Sequence, residues 1–269
     1  MEEPDDRTPS HPNGQADIAM TDTLIIRREG TVAIFELNRP ERHHAIDAVL
    51  AEALVAALDA AENDAVVRVV VVTGAGAKAF CAGQDMLEAS GVEPGLQDTR
   101  TSSALFAVER FARTPLPVIA AINGYCFGGG AALAIACDIR LATETATFRL
   151  PGAEYGLVVG AAGLPRLVGA AKAKELIFTA RRFDAHEAHA CGLVNAVHDA
   201  VTLMPAALDM AQAIARNSPR AVQESKRVID RATLVDAAIE DERAINRELR
   251  GSPEQSARFR DATRRVTGR

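Results

Sequence analysis

The sequence predicts an α/β fold built on parallel strands, and three observations carry that expectation. Residues 66–72 form a nearly continuous apolar run rich in valine, and Val118–Ile122 forms a second apolar run. Strands buried on both faces look like this. Helical patterns alternate with such runs up to about residue 150, as strand–helix–strand units do. Beyond Gly163 the chain reads as almost wholly helical, with breaks near Phe183, residues 192–199, residues 217–219 and residues 251–253.

Taken in order, residues 23–38 read as two short strands about Glu29-Gly30, a hairpin signal. Arg39-Pro40 ends the second. Asp47 has the side chain of an N-cap, and residues 48–62 place Leu50, Leu54, Ala57, Leu58 and Ala61 on one helical face. The apolar run 66–72 is broken by Thr73-Gly74-Ala75-Gly76. A polar loop is expected over 87–98, and a helix over 99–113. Pro115-Leu116-Pro117 leads into the strand Val118–Ile122. A glycine-rich turn over 123–130 opens a small-residue helix over 131–137, and strands follow over 138–142 and 146–150.

The formal charge is −6, but −5 of it lies within the first 22 residues, so the body is nearly neutral. Nothing in that body resembles the basic footprint of a nucleic-acid binder, and none is expected as a partner. Residues 1–22 are acidic and proline-bearing, and are expected to be a disordered tail. Met20, just before the first expected strand, is a candidate start. The α/β core is expected over 23–200 and a helical region over 201–269. The latter is too amphipathic to stand alone and should pack on the core or on another subunit. Hydrophobic residues make up 48% of the chain but aromatics only 4%, so the core must be aliphatic. No apolar run approaches the roughly 20 residues that span a bilayer, and the start lacks the pattern of a signal peptide. Cys81, Cys126, Cys137 and Cys191 are scattered without a C-x-x-C pair. They read as free thiols in a reducing compartment, so a soluble cytoplasmic protein of bacterial type is the expectation.

Two glycine turns stand out, Phe80-Cys81-Ala82-Gly83-Gln84-Asp85 and Asn123-Gly124-Tyr125-Cys126-Phe127-Gly128-Gly129-Gly130. Each follows a parallel-type strand, where α/β sheets place ligands. A triple glycine opening a helix offers free N–H groups and a positive dipole end, suited to an anion or to a carbonyl oxygen gaining charge. Neither turn has the spacing of a nucleotide phosphate loop or of a dinucleotide fingerprint. Tight strand–helix packing is the competing explanation for the glycines.

Over nearly all of residues 23–265 the chain resembles the enoyl-CoA hydratase/isomerase (crotonase) superfamily. The matching pieces are Asn38-Arg39-Pro40-Glu41, Phe80-x-Ala82-Gly83-x-Asp85, Ala121-Ile122-Asn123-Gly124 with Gly128-Gly129-Gly130, and Ala136-Cys137-Asp138-Ile139-Arg140. They continue with Gly156-Leu157, Gly163-Leu164-Pro165-Arg166-Leu167, Ala185-x-Glu187-Ala188, Gly192-Leu193-Val194, and Asn217-Ser218-Pro219 with Lys226. The resemblance implies a spiral of ββα turns, with a helical C-terminal region that contributes to trimerisation, as a homotrimer or a dimer of trimers. It implies an acyl-CoA thioester as substrate, with no separate cofactor because coenzyme A is part of the substrate. It places the oxyanion hole at the backbone N–H groups of Gln84 and Gly129. It puts Arg39, Arg42, Ala45, Ala82, Asp85, Met86, Lys226 and Phe259 at the substrate and CoA contacts.

The resemblance breaks at the two glutamates that activate water in family hydratases. Their positions fall on Ala132 and Gly152, and neither side chain can move a proton. If residues 150–155 are extended, Glu154 points to the same face as Gly152 and becomes the candidate general base for isomerisation or thioester hydrolysis. Its alternative is to face solvent or to pair with an arginine such as Arg149 or Arg166. Family members usually carry Asn at the position of His44, whose loop approaches CoA. The tandem His43-His44 is a weak metal candidate, since adjacent histidines point apart and no carboxylates accompany them, and no metal is expected. Three functions compete: a hydratase- or isomerase-type enzyme, a non-catalytic acyl-CoA-binding protein, and a single-carboxylate enzyme using Glu154.

Overall fold

The computed structural model describes residues 16–90 and 103–268. Three strands, β1 (Ala16–Thr21), β2 (Leu24–Glu29) and β3 (Val32–Leu37), form an antiparallel meander. Residues 1–15 of the expected tail lie outside the described residues, but Ala16–Thr21 does not behave as tail. The two-residue turn at Asp22-Thr23 lets it fold back on β2 and add backbone hydrogen bonds at the sheet edge, despite its charge.

Helix α1 (Ala48–Asn63) starts where Asp47 Oδ1 accepts the Leu50 N–H at 2.8 Å, and it buries the predicted stripe. Strand β4 (Val69–Gly74) starts three residues later than expected. Asp64 Oδ1 holds the Val66 N–H at 2.8 Å in a turn, which leaves Val66 exposed. After β5 (Ala79–Cys81) comes a short helix, α2 (Met86–Ser90), within the segment expected as loop. Asp85 Oδ1 accepts the N–H groups of Leu87 and Glu88 and so nucleates it. The chain continues through α3 (Ser103–Arg113), β6 (Val118–Ile122), β7 (Tyr125–Phe127), α4 (Gly129–Ala136), β8 (Ile139–Thr143) and β9 (Thr147–Arg149).

This succession is the expected spiral. In each turn one strand joins a large sheet and the next joins a small one. The large sheet runs β1-β2-β3-β4-β6-β8 and the small one β9-β7-β5, with β4, β6 and β8 parallel in the first and β5, β7 and β9 parallel in the second. The remaining elements are α5 (Pro165–Val168), α6 (Ala170–Thr179), β10 (Phe183–Asp184), α7 (Ala185–Ala190) and β11 (Ala196–His198), then α8 (Leu203–Ala215), α9 (Pro219–Thr233), α10 (Asp236–Leu249) and α11 (Pro253–Thr267). Strand β10 closes one end of the small sheet, and β11 closes the large sheet beside β8.

The continuous apolar strands have the two-sided burial they predict. Ala33, Phe35, Val70, Val72, Val118, Ala120 and Ile122 join the main core with α1, α3 and α4. The alternate residues Val32, Ile34, Val69, Val71, Ile119 and Ala121 pack on Leu203, Ala207 and Ala211 of α8. Among the described residues no helix is long and apolar enough to cross a membrane.

Candidate active site

The spiral carries both glycine turns to one place. They follow β5 and β7, which are parallel neighbours in the small sheet. Asn123, at the start of the second turn, is fixed to the end of β4 and the loop before β5: its side-chain amide donates to the carbonyls of Gly74 and Gly76, each at 2.7 Å. Gly83 (φ +102°) and Gly128 (φ +52°) take left-handed conformations that admit glycine readily. The fit is also steric. A Cβ on Gly83 would lie 2.8 Å from Gly129 N, and one on Gly129 would lie 3.3 Å from Gln84 N. The backbone nitrogens of Gln84 and Gly129 are therefore neighbours, and Gly129 is the first residue of α4, where an N–H has no acceptor within the helix.

Both turns open on a cavity of about 1040 Å³. That volume is at the upper end for small-ligand sites. Gln84, Gly129, Ala82, Ala45, Arg42 and Met86 line it, as do Asp85, Lys226 and Phe259. Ala132 and Gly152 also line it, so the positions without a proton-moving side chain face the same space.

Four expected site residues have other employment. Arg39 is outside the cavity lining: its guanidinium is taken by Asp47 at 2.9 Å, Asp85 at 3.1 Å and the Ala45 carbonyl. Asp85 is 5% exposed and divides its oxygens between Arg39 and the N-terminus of α2. Lys226 Nζ donates to Asp138 at 2.8 Å and to the Leu116 carbonyl at 2.9 Å. Glu154 is the main correction. Residues 153–155 form a 3-10 turn rather than extended chain, because Tyr155 and Gly156 donate back to Gly152 and Ala153. The Glu154 side chain is not among the lining residues; its carboxylate pairs with Arg149, on the cavity wall, and at 3.4 Å with Arg265.

His44 is neither at the surface nor open to a nucleotide, being 1% exposed. Its Nδ1 accepts the Arg39 N–H at 3.0 Å, so the neutral ring carries its proton on Nε2 and donates to the Ala75 carbonyl at 3.0 Å. Burial lowers its pKa. The unfolded chain then binds a proton that the folded chain refuses, from about pH 6.5 downward. The stability this histidine contributes is complete above that pH and is lost as the pH falls. Thermal melting should show this. Between about pH 7.5 and 5 the wild-type Tm should fall further than that of His44→Asn, whose side chain does not titrate. Parallel falls would rule the effect out.

Sequence reading placed Lys226 and Phe259 of the C-terminal helices at the site but missed helix α10. Helix α10 closes over the cavity through three contacts. Glu242 accepts the N–H groups of Gly160 at 2.9 Å and Ala162 at 2.7 Å, Asn246 exchanges hydrogen bonds with the backbone of Val158, and Arg243 pairs with Glu109 at 2.7 Å. Burial raises the Glu242 pKa in spite of those amides. From α11, Phe259 packs edge-on against Tyr155 with centroids 5.9 Å apart, and burial keeps the Tyr155 phenol protonated. These contacts span 80 residues or more of sequence, and no local pattern announces them.

The profile of the enoyl-CoA hydratase/isomerase family matches residues 27–266, and with them both glycine turns. The chain belongs to this family. YngF of Bacillus subtilis, from the same family, is 41% identical over 77% of this chain and 81% of its own. A short-chain-enoyl-CoA hydratase of Clostridium acetobutylicum is 38% identical over 79% of this chain and 83% of its own. Among solved structures, an enoyl-CoA hydratase/isomerase of Xanthobacter autotrophicus Py2 superposes with a TM-score of 0.80 at 35% identity, covering 93% of this chain and 95% of that one. The ββα spiral is accordingly that of the enoyl-CoA hydratase/isomerase family.

Proposed function

We propose that this chain binds an acyl-CoA thioester and stabilises the enolate formed from it between the backbone N–H groups of Gln84 and Gly129. The carrying observation is that the two turns set these nitrogens side by side on the cavity, at the N-terminus of α4. Charge developing on the thioester oxygen would meet preorganised donors there, worth about 3–4 kcal/mol each in comparable sites. Paired-glutamate hydration is not the reaction this cavity supports, because Ala132 and Gly152 stand at the positions where the resemblance puts the glutamates.

One observation favours a binding protein as the second reading. Glu109, Asp138, Asp230 and Glu242 line the cavity, and each is already held by a cation or by backbone amides. Titrating a panel of acyl-CoAs calorimetrically and assaying turnover of each binder separates the two. Binding with no turnover of any ester would leave only the binding protein, and no binding would reject both. Glu154→Gln is expected to leave the rate of the best ester within about threefold, since its carboxylate is already held by two arginines in partly exposed pairs that are worth little. A loss beyond about a hundredfold would return it to the candidate bases.

A trimeric assembly, or a dimer of trimers, fits helix α9, which has no buried residue and leaves Val228 and Ile229 exposed. Four free thiols support a reducing, cytoplasmic location.

A further inference from the structure

Arg250 closes helix α10 and lines the cavity. Its guanidinium approaches the Gln84 side chain, with Nη1 at 3.4 Å from Oε1, a long and weak contact. Among the described residues it has no carboxylate partner. Other cations of the cavity differ: Arg149 faces Glu154, Arg166 faces Asp230, Arg243 faces Glu109 and Lys226 faces Asp138, while Arg113 and Arg182 stand exposed to water. Arg250 is nonetheless substantially withdrawn from water, and burial alone lowers its pKa, with no nearby carboxylate acting against that. A cation withdrawn from water without a counter-charge is costly, and its cost is relieved when an anion arrives.

The position of Arg250 says where that anion belongs. Gln84 supplies one of the two proposed oxyanion donors from its backbone and meets Arg250 with its side chain. The cation is therefore one glutamine side chain away from the thioester carbonyl. It reaches the cavity from a segment different from the Arg42 and His43 loop.

We propose that the acyl group of the substrate carries its own carboxylate, a few bonds from the thioester, and that Arg250 is the residue that reads it. The assignment rests on the acyl-CoA reading of the site. A short dicarboxylic monothioester is the class it names. Its free carboxylate would take the guanidinium fork while its thioester oxygen lies between Gln84 and Gly129. Arg250 is then the residue that discriminates against plain fatty-acyl thioesters.

The test is calorimetric, on the full-length protein. Malonyl-CoA is compared with isovaleryl-CoA, its uncharged shape match, and succinyl-CoA with isocaproyl-CoA, with free CoA as reference. The wild type should bind at least one carboxylated ester about tenfold more tightly than its match, the size of one charge-assisted hydrogen bond. In Arg250→Met that ratio should collapse to about one, with Arg250→Lys recovering part of it. Circular dichroism shows whether each variant is folded, and the wild-type ratio decides the matter if Arg250→Met is not. Equal wild-type affinities within both pairs would overturn the role of Arg250 and leave the acyl-CoA reading standing. So would an Arg250→Met loss shared equally by free CoA and all four esters, which would mark a phosphate contact instead. No binding of any thioester would overturn the acyl-CoA reading and the assignment with it.

Discussion

Gly129→Pro is expected to lower turnover of the best ester by about a hundred- to a thousandfold, the cost of deleting one oxyanion donor elsewhere. Proline removes the N–H and sets a methylene where the thioester oxygen would lie. Proline's fixed φ and missing donor suit the first residue of α4, but its Cβ would lie 2.9 Å from the Ala104 Cβ, so α3 must give way slightly and the melt shows whether the fold is kept. The measurement is kcat on the purified variant beside a thermal melt. An intact melt with a rate within threefold of wild type would remove Gly129 from the oxyanion hole. The neighbouring glycine would give no such separation of chemistry from folding. A Cβ on Gly130 would lie 2.2 Å from the Cys81 carbonyl oxygen, against backbone that cannot yield.

Arg140→Leu should cost about 3–5 kcal/mol of stability, the largest structural effect expected of one substitution here. Arg140 is 3% exposed and donates to the carbonyls of Leu193 at 2.7 Å, Ala134 at 3.1 Å, Cys137 at 2.6 Å and Asp138 at 3.2 Å. Two of these belong to the C-terminal end of α4, where a cation also meets the negative end of the helix dipole. Leucine fills the volume but gives those buried carbonyls no donor in place of the guanidinium, though Ala134 keeps the Cys137 N–H. The chain is large enough that about 2–4 °C of Tm is lost per kcal/mol, so a fall of about 10 °C is expected. Arg140→Lys should recover only part of it, since one ammonium cannot span four carbonyls. A loss below about 1 kcal/mol in urea denaturation would contradict this account. The same arginine bears on the site, because α4 presents Gly129 at its other end. A loosened helix misplaces the donor, and kcat should fall along with stability.

The fold was legible wherever a short-range pattern reports a physical need. Residues 69–72 could be read as a strand because each valine is buried on one face or the other, leaving no polar position. Asp47 could be read as a cap because its role is satisfied three residues away. The two glycine turns could be read as a site because close backbone approach excludes a Cβ, and glycine alone records that in sequence. Strands β5 and β7 escaped notice because three residues are too few to show a period. Ala16–Thr21 escaped because its order comes from pairing with β2, while its composition resembles the acidic segment before it.

The same distinction separates the two arginines and the glutamate that matter most. Arg39 and Glu154 had sequence contexts that suggested the site, and Arg250 had none. Side-chain direction decided otherwise. One backbone hydrogen-bonded turn at 153–155 swings Glu154 to Arg149, while the end of α10 delivers Arg250 to Gln84 across 166 residues of sequence. What the sequence determined by itself is the family, the spiral, the pair of glycine turns and the lack of glutamates at Ala132 and Gly152, because each is written in residue types at fixed local spacing. Which charges face the cavity was settled only by the tertiary structure. A charge is silenced or left exposed by the partner that reaches it, and that partner is a matter of distance in space rather than along the chain.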